Sequence, residues 1–283
     1  MAVNLFTRPT PAPSPIEIKE LVALYQQSRT QDAMPKAQSL VTRFPKHPLG
    51  WTILGAIYRS ERNNAEALPC LIKVAELTPN DPNGHFNLAN TYRDLGKPTQ
   101  AIEHYRRALK VKSDIPNGFF HLGNMQHEAG LLAAAERSLR QALKLAPEHI
   151  ETLSNLAHVL QDMGQTPEAL ALYDHALTLQ PANALLHFNR GDVLQELGYW
   201  TDAQEAARTA IQLDPLMAEA HAQLGDVLQE LGQLKVSIDA YRTALALAPD
   251  NHVIHSNLLF ALNYLPSCDN EAALKEAYSF GQA

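Results

Sequence analysis

Asn87, His121, Asn155, Asn189, Gln223 and Asn257 follow one another at a constant spacing of 34 residues. A carboxamide offers one acceptor and two donors, which match the C=O and N–H of a peptide backbone. A column of carboxamides can therefore hold extended peptide with little regard for its side chains. Three residues further along, Asn90, Asn124, His158, Asp192 and Asp226 make a second column. Asp94, Glu128, Asp162, Glu196 and Glu230 make a third. These acids either select basic or Ser/Thr-rich peptides or simply keep the face soluble. The bland alternative for the amides is that they solvate an exposed helix. Asparagine is a mediocre helix former, so its recurrence inside helices wants a cause.

Other chemistry is weaker. His85, His187, His221 and His255 share one position, held by Trp51 in an earlier repeat. Stacked helices lie roughly 10 Å apart, too far for such residues to meet one metal ion at about 2.1 Å. They are expected to replace Trp51 in helix packing. No nucleophile–base pair, carboxylate dyad, metal-ligand spacing or phosphate-binding glycine loop stands out. The expectation is a binding module with no catalytic residue, metal or cofactor.

The elements that position these columns come from the same spacing. Pro45, Pro79, Pro147, Pro181, Pro215 and Pro249 share it, with Ser113 in the remaining place. So do Gly96, Gly130, Gly164, Gly198 and Gly232, and so do the alanines from Ala33 to Ala203. A fixed period of this length marks a tandem array of one supersecondary unit. In each full repeat two apolar-periodic segments are separated by a short turn, which carries glycine in five of the six, predicting two antiparallel helices. The organisation read from this is a flexible proline-rich leader over 1–15 and a degenerate capping repeat over 16–47. Six full repeats follow over 48–251, then a partial eighth over 252–283, with a last helix over 271–280. Advancing 100° per residue along each first helix puts positions four, seven, eight and eleven on the core. Positions two, six, nine and thirteen point the opposite way, toward a concave side. That places the amide and acid columns in a groove.

Composition narrows the function classes. Apolar residues make up 46% of the 283, and the net charge is −7. An acidic chain argues against nucleic acid. No run approaches the ~20 apolar residues of a membrane span, and no secretory signal is evident. Cys70 and Cys268 suggest no disulfide framework, so a reducing, cytoplasmic setting is expected.

Trp51-x-x-Leu54-Gly55-x-x-Tyr58, followed by Ala67, Leu71 and Pro79, resembles the tetratricopeptide repeat (TPR). The resemblance implies an all-α fold, a right-handed superhelical solenoid of antiparallel helix pairs, and a protein or peptide ligand in its concave groove; it permits a homo-oligomer. TPRs that clamp a chaperone's terminal carboxylate carry Lys or Arg at positions two and six. Leu49, Asn83, Asn117, Glu151, Leu185 and Glu219 at position two disfavour that partner. HSNLLFALNYLP over 255–266, together with Asn87, Asn155, Asn189 and Asn257, also resembles the TPR region of bacterial proteins similar to O-linked N-acetylglucosamine transferase, glycosyltransferase family 41. That likeness implies the substrate-recognition arm of a longer transferase, since the nucleotide-sugar lobes are absent from these residues. A free-standing TPR adaptor is the other reading.

Overall fold

A computed structural model describes residues 12–264. The helix expected over 271–280 and most of the leader lie outside these residues. Within them are fifteen α-helices and no strand. The first helices of successive repeats are α1 (Pro15–Gln26), α3 (Pro48–Ser60), α5 (Pro82–Asp94), α7 (Pro116–Glu128), α9 (Ile150–Asp162), α11 (Ala184–Glu196), α13 (Ala218–Glu230) and α15 (His252–Asn263). The second helices are α2 (Thr30–Arg43), α4 (Asn64–Leu77), α6 (Pro98–Val111), α8 (Leu132–Leu145), α10 (Thr166–Leu179), α12 (Trp200–Leu213) and α14 (Leu234–Leu247).

Helix starts follow from local chemistry. Proline at the first turn of α3, α5 and α7 needs no amide partner there. Asp81, Asn183 and Asn251 cap their helices through side-chain oxygens. Ser14 and Glu17 form a capping box on α1, so the helix begins at Pro15, the last residue of the stretch read as a leader. Arg43 Nη1 donates to Glu17 at 2.6 Å, and Lys36 pairs with Glu20, fastening α2 to α1.

The turn between paired helices needs one residue at positive φ. Gly96 through Gly232 take φ of 65° to 76°. Ser28 and Arg62, at the same repeat position, take φ 58°. The backbone of the turn is therefore the same where glycine is missing. Position eight needs a small residue for a different reason. A Cβ on Gly123 would lie 2.6 Å from Leu139 Cγ, and one on Gly225 would lie 2.7 Å from the Tyr241 ring.

The described residues divide after Leu145 into two compact units. In the N-terminal unit each helix packs on the next from α1 to α8. Its cores join Leu21, Leu40, Ile53 and Leu54, then Ala67, Leu71 and Leu88, then Tyr105, Leu109 and Leu122. In the C-terminal unit α9 to α15 stack likewise, and α13 also meets the first helices on either side, α11 and α15. Leu194, Ala206 and Val227 pack with Trp200, and Tyr241 packs with Ile254, Leu258 and Leu262.

Candidate functional site

Position four anchors α3, α5, α11 and α13 to the loops before them. Trp51 Nε1–H donates to Pro45 O at 3.0 Å. His85, His187 and His221 Nε2 meet Pro79, Pro181 and Pro215 O at 3.0, 2.9 and 3.1 Å. A carbonyl only accepts, so the proton sits on Nε2 and the imidazole reproduces the indole donor. His85 Nδ1 also lies 3.1 Å from His104 Nδ1. His104 is pushed down to about 4, first by burial and then by His85. Among the described residues no group of three His, Cys, Asp or Glu could hold a metal ion.

In the N-terminal unit the amide column is approached by arginines from position twelve of the preceding repeat. Arg59 Nη1 donates to Asn87 Oδ1 at 3.1 Å. Arg93 Nη1 meets His121 Nδ1 at 3.2 Å, while its Nη2 donates to Asp94 at 2.8 Å. Guanidinium only donates, so it engages Asn87 through the amide oxygen and leaves the amide nitrogen unused. At position nine Asn90 Oδ1 accepts from the fully buried Tyr105 hydroxyl at 2.6 Å. Asn124 is half-buried on α7.

In the C-terminal unit carboxylates do the fixing. Gln223 Nε2 donates to Phe188 O at 2.9 Å and to Asp192 Oδ1 at 2.5 Å. Asn257 Nδ2 donates to Asp226 Oδ1 at 3.0 Å, where the Tyr241 hydroxyl also donates at 2.6 Å. A carboxylate only accepts, so here the amide nitrogen is the bonded end and Asn257 Oδ1 is left unused. Burial, then Glu196 and Asp226, raise Asp192 to about 6 against the pull of Gln223. Burial likewise raises Asp226, against its bonds from Tyr241 and Asn257. Asn155 and Asn189 are half-buried, and Asn189 makes no side-chain hydrogen bond among the described residues.

The columns are thus less open than a helical wheel suggests. Gln223 is 3% exposed, and its amide nitrogen is spent inside the protein. Asn90, Asp192 and Asp226 at position nine are half-buried between helices rather than projecting freely. Sequence reasoning missed Arg59, Arg93, Tyr105 and Tyr241, because it compared like positions rather than neighbouring repeats. The signal lies at offsets of 28 residues, for Arg59–Asn87 and Arg93–His121, and of 31 for Asp192–Gln223 and Asp226–Asn257.

Among the described residues no helix is long and apolar enough to cross a membrane. Tetratricopeptide repeat profiles match residues 82–114, 117–149 and 191–252, and a TPR repeat profile matches 162–198. No curated protein sequence matches the chain. Solved structures share the fold at low identity. MamA is 21% identical over 57% of this chain and 95% of its own, with a TM-score of 0.56. YrrB, described as a TPR protein with an unusual peptide-binding site, is 21% identical over 65% and 94%, with a TM-score of 0.55. The C-terminal part of a TPR repeat-containing protein from Cytophaga hutchinsonii is 13% identical over 85% and 99%, with a TM-score of 0.69. Repeat period, helix pairing and fold agree with the profiles: this chain is built of tetratricopeptide repeats.

Proposed function

We propose that the chain is a peptide-binding scaffold in which Asn87, Asn155, Asn189 and Asn257 hold extended backbone along the polar face of the first helices. The observation that carries this reading is the half-committed amide. Asn87 gives its oxygen to Arg59 and keeps its nitrogen, whereas Asn257 gives its nitrogen to Asp226 and keeps its oxygen. Each is oriented in advance and retains the group that a peptide C=O or N–H needs. The peptide-binding site described for YrrB supports this class of ligand. The finer reading, a substrate-recognition arm of an O-linked N-acetylglucosamine transferase-like enzyme, rests on the 255–266 segment and the asparagine column. An open frame from codon 283 into a nucleotide-sugar-binding region supports it, and a stop codon leaves the free-standing adaptor.

Asn189 is the cleanest test of the amide column, since no internal bond depends on it. The probe is a blocked, uncharged Ser/Thr/Asn peptide of about ten residues, long enough to span three helices roughly 10 Å apart. Asn189→Ala is expected to weaken its binding about fivefold, the worth of one ordinary hydrogen bond. Its melting temperature stays level or rises, because alanine is the better helix former. Gln223→Ala is the contrasting variant and melts lower, because it empties a buried site. Unchanged affinity in Asn189→Ala, or a marked loss of its stability, removes the amide column as a recognition surface.

A further inference from the structure

Arg59 and Arg93 occupy the same position in consecutive repeats, and each donates to the position-six residue of the next. Their charges are treated differently. Arg93 is neutralised by Asp94, the residue that follows it, at 2.8 Å. Ser60 stands in that place after Arg59 and turns its hydroxyl back to Ile57 O at 2.7 Å. Among the described residues no carboxylate lies within ion-pair distance of Arg59. Its Nε is withdrawn from water and has no hydrogen-bond partner, while the residue as a whole is half-buried. The protein thus holds one oriented, partly desolvated cation without a counter-charge, an arrangement that costs stability unless something outside compensates it.

We propose that Arg59 receives an acidic side chain, aspartate or glutamate, of the bound peptide; this deepens the peptide-binding reading above and rests on it. With Nη1 given to Asn87 and Nε buried, Nη2 is the donor left for a carboxylate, which it meets through a charge-assisted hydrogen bond. The amide nitrogen of Asn87, left unused by the same bond, adds a donor beside it. The chemistry favours a monoanion over a phosphoryl group. A dianion calls for a second free cation, and the neighbouring Arg93 is already matched by Asp94 and His121. Nor is this a clamp for a chain terminus, since it uses position twelve rather than positions two and six. Selection by acidic peptides in this unit is opposite in sign to what the acid column of the C-terminal unit would select.

The test uses the full chain and three blocked Ser/Thr/Asn peptides that differ at one central residue, Glu, Gln or phosphoserine. With both termini blocked, the side chain is the only anion. The Glu peptide is expected to bind about tenfold more tightly than the Gln peptide at low salt, the preference shrinking as salt rises. Arg59→Gln erases the preference and, by releasing the Asn87 amide, weakens the Gln peptide by up to about fivefold, the worth of one ordinary hydrogen bond. Ser60→Asp erases it as well, by giving Arg59 the internal partner that Arg93 already has; this variant keeps the arginine, so a folding defect cannot imitate the result. Equal binding of Glu and Gln peptides by the parent overturns the proposal. So does a preference that survives both variants, or tighter binding of the phosphoserine peptide. If the Gln peptide binds and only the preference is missing, the amide column stands and the carboxylate site alone is lost. If no peptide binds, both readings fall.

Discussion

The two units answer the same structural need with opposite charges. Between successive first helices of the N-terminal unit, arginines reach 28 residues forward to Asn87 and His121. In the C-terminal unit Asp192 and Asp226 receive amides from residues 31 further on, Gln223 and Asn257. The tyrosine behind position nine follows suit: Tyr105 donates to neutral Asn90, and Tyr241 to the carboxylate of Asp226, both at 2.6 Å. The comparison teaches that a repeated asparagine is not a repeated function. Its neighbour decides which end of the amide is already bonded, so the same residue keeps a donor in one unit and an acceptor in the other.

The sharpest way to break this comparison is to remove the tyrosine hydroxyls. Tyr241→Phe takes a buried hydrogen bond from a carboxylate and is expected to cost about 2–3 kcal/mol, against about 1 kcal/mol for Tyr105→Phe, whose acceptor is neutral. Denaturant unfolding of both variants checks this; equal losses would show that the charge of the acceptor is irrelevant.

A second effect separates the units by pH. Asp192 is raised from an ordinary 3.8 to about 6 by burial. Its folded form therefore holds a proton that the unfolded form has lost, and stability is gained as pH falls from about 6 toward 4. Integrated between about pH 7.5 and pH 4.5, the gain is roughly 2 kcal/mol. Asp226 is shifted the same way. His104 is lowered from 6.5 to about 4 by burial and by His85. Its contribution is complete above 6.5 and is lost as pH falls toward 4, so the N-terminal unit weakens over the interval in which the C-terminal unit strengthens. Glu17, held near 2 mainly by the Ser14 backbone, titrates below this window. Hydrogen exchange, corrected for intrinsic rates, is expected to slow in α11–α13 and quicken in α5–α6 on acidification, and Asp192→Asn to flatten the first response. Parallel changes in both units would contradict the assignment.

The smallest effect concerns the turns. Arg62 is exposed and takes φ 58° where the later turns have glycine. A left-handed non-glycine residue costs roughly 1–2 kcal/mol, of which glycine's freer unfolded chain returns up to about 1. Arg62→Gly is thus expected to stabilise by about 0.5 kcal/mol. Gly198→Ala, with no atom within 4 Å of its added Cβ, should destabilise by a similar amount. Thermal melts of the pair decide; shifts of the same sign would refute the account.

Much of the fold was legible because a strict period records backbone demands directly. Proline at helix starts and repeat ends, glycine at positive φ and small residues at position eight each answer to one local constraint. The equivalence of His85, His187 and His221 with Trp51 was readable for the same reason, as all four offer an N–H at one place. Ser28 and Arg62 escaped because a turn enforced by two packed helices tolerates a poorer residue. Arg190 breaks the leucine column at position seven and instead pairs with Asp174 at 2.6 Å, a contact between helices that spacing within one helix does not encode. The half-buried acids were read as groove residues for a like reason. A wheel drawn on one helix cannot see the next one.

Trp51, tied to Pro45 through its indole nitrogen, and Trp200, set among Leu194, Ala206 and Val227, are the two tryptophans of the chain, and each unit holds one. Each half therefore carries its own emitter. The first indole is hydrogen-bonded to a peptide carbonyl and the second lies against aliphatic side chains, so the ultraviolet fluorescence of the intact chain is the sum of two differently solvated sources. With Trp200 exchanged for phenylalanine, the remaining light comes from the N-terminal half alone, and its colour and decay follow the melting of those repeats while the others go dark.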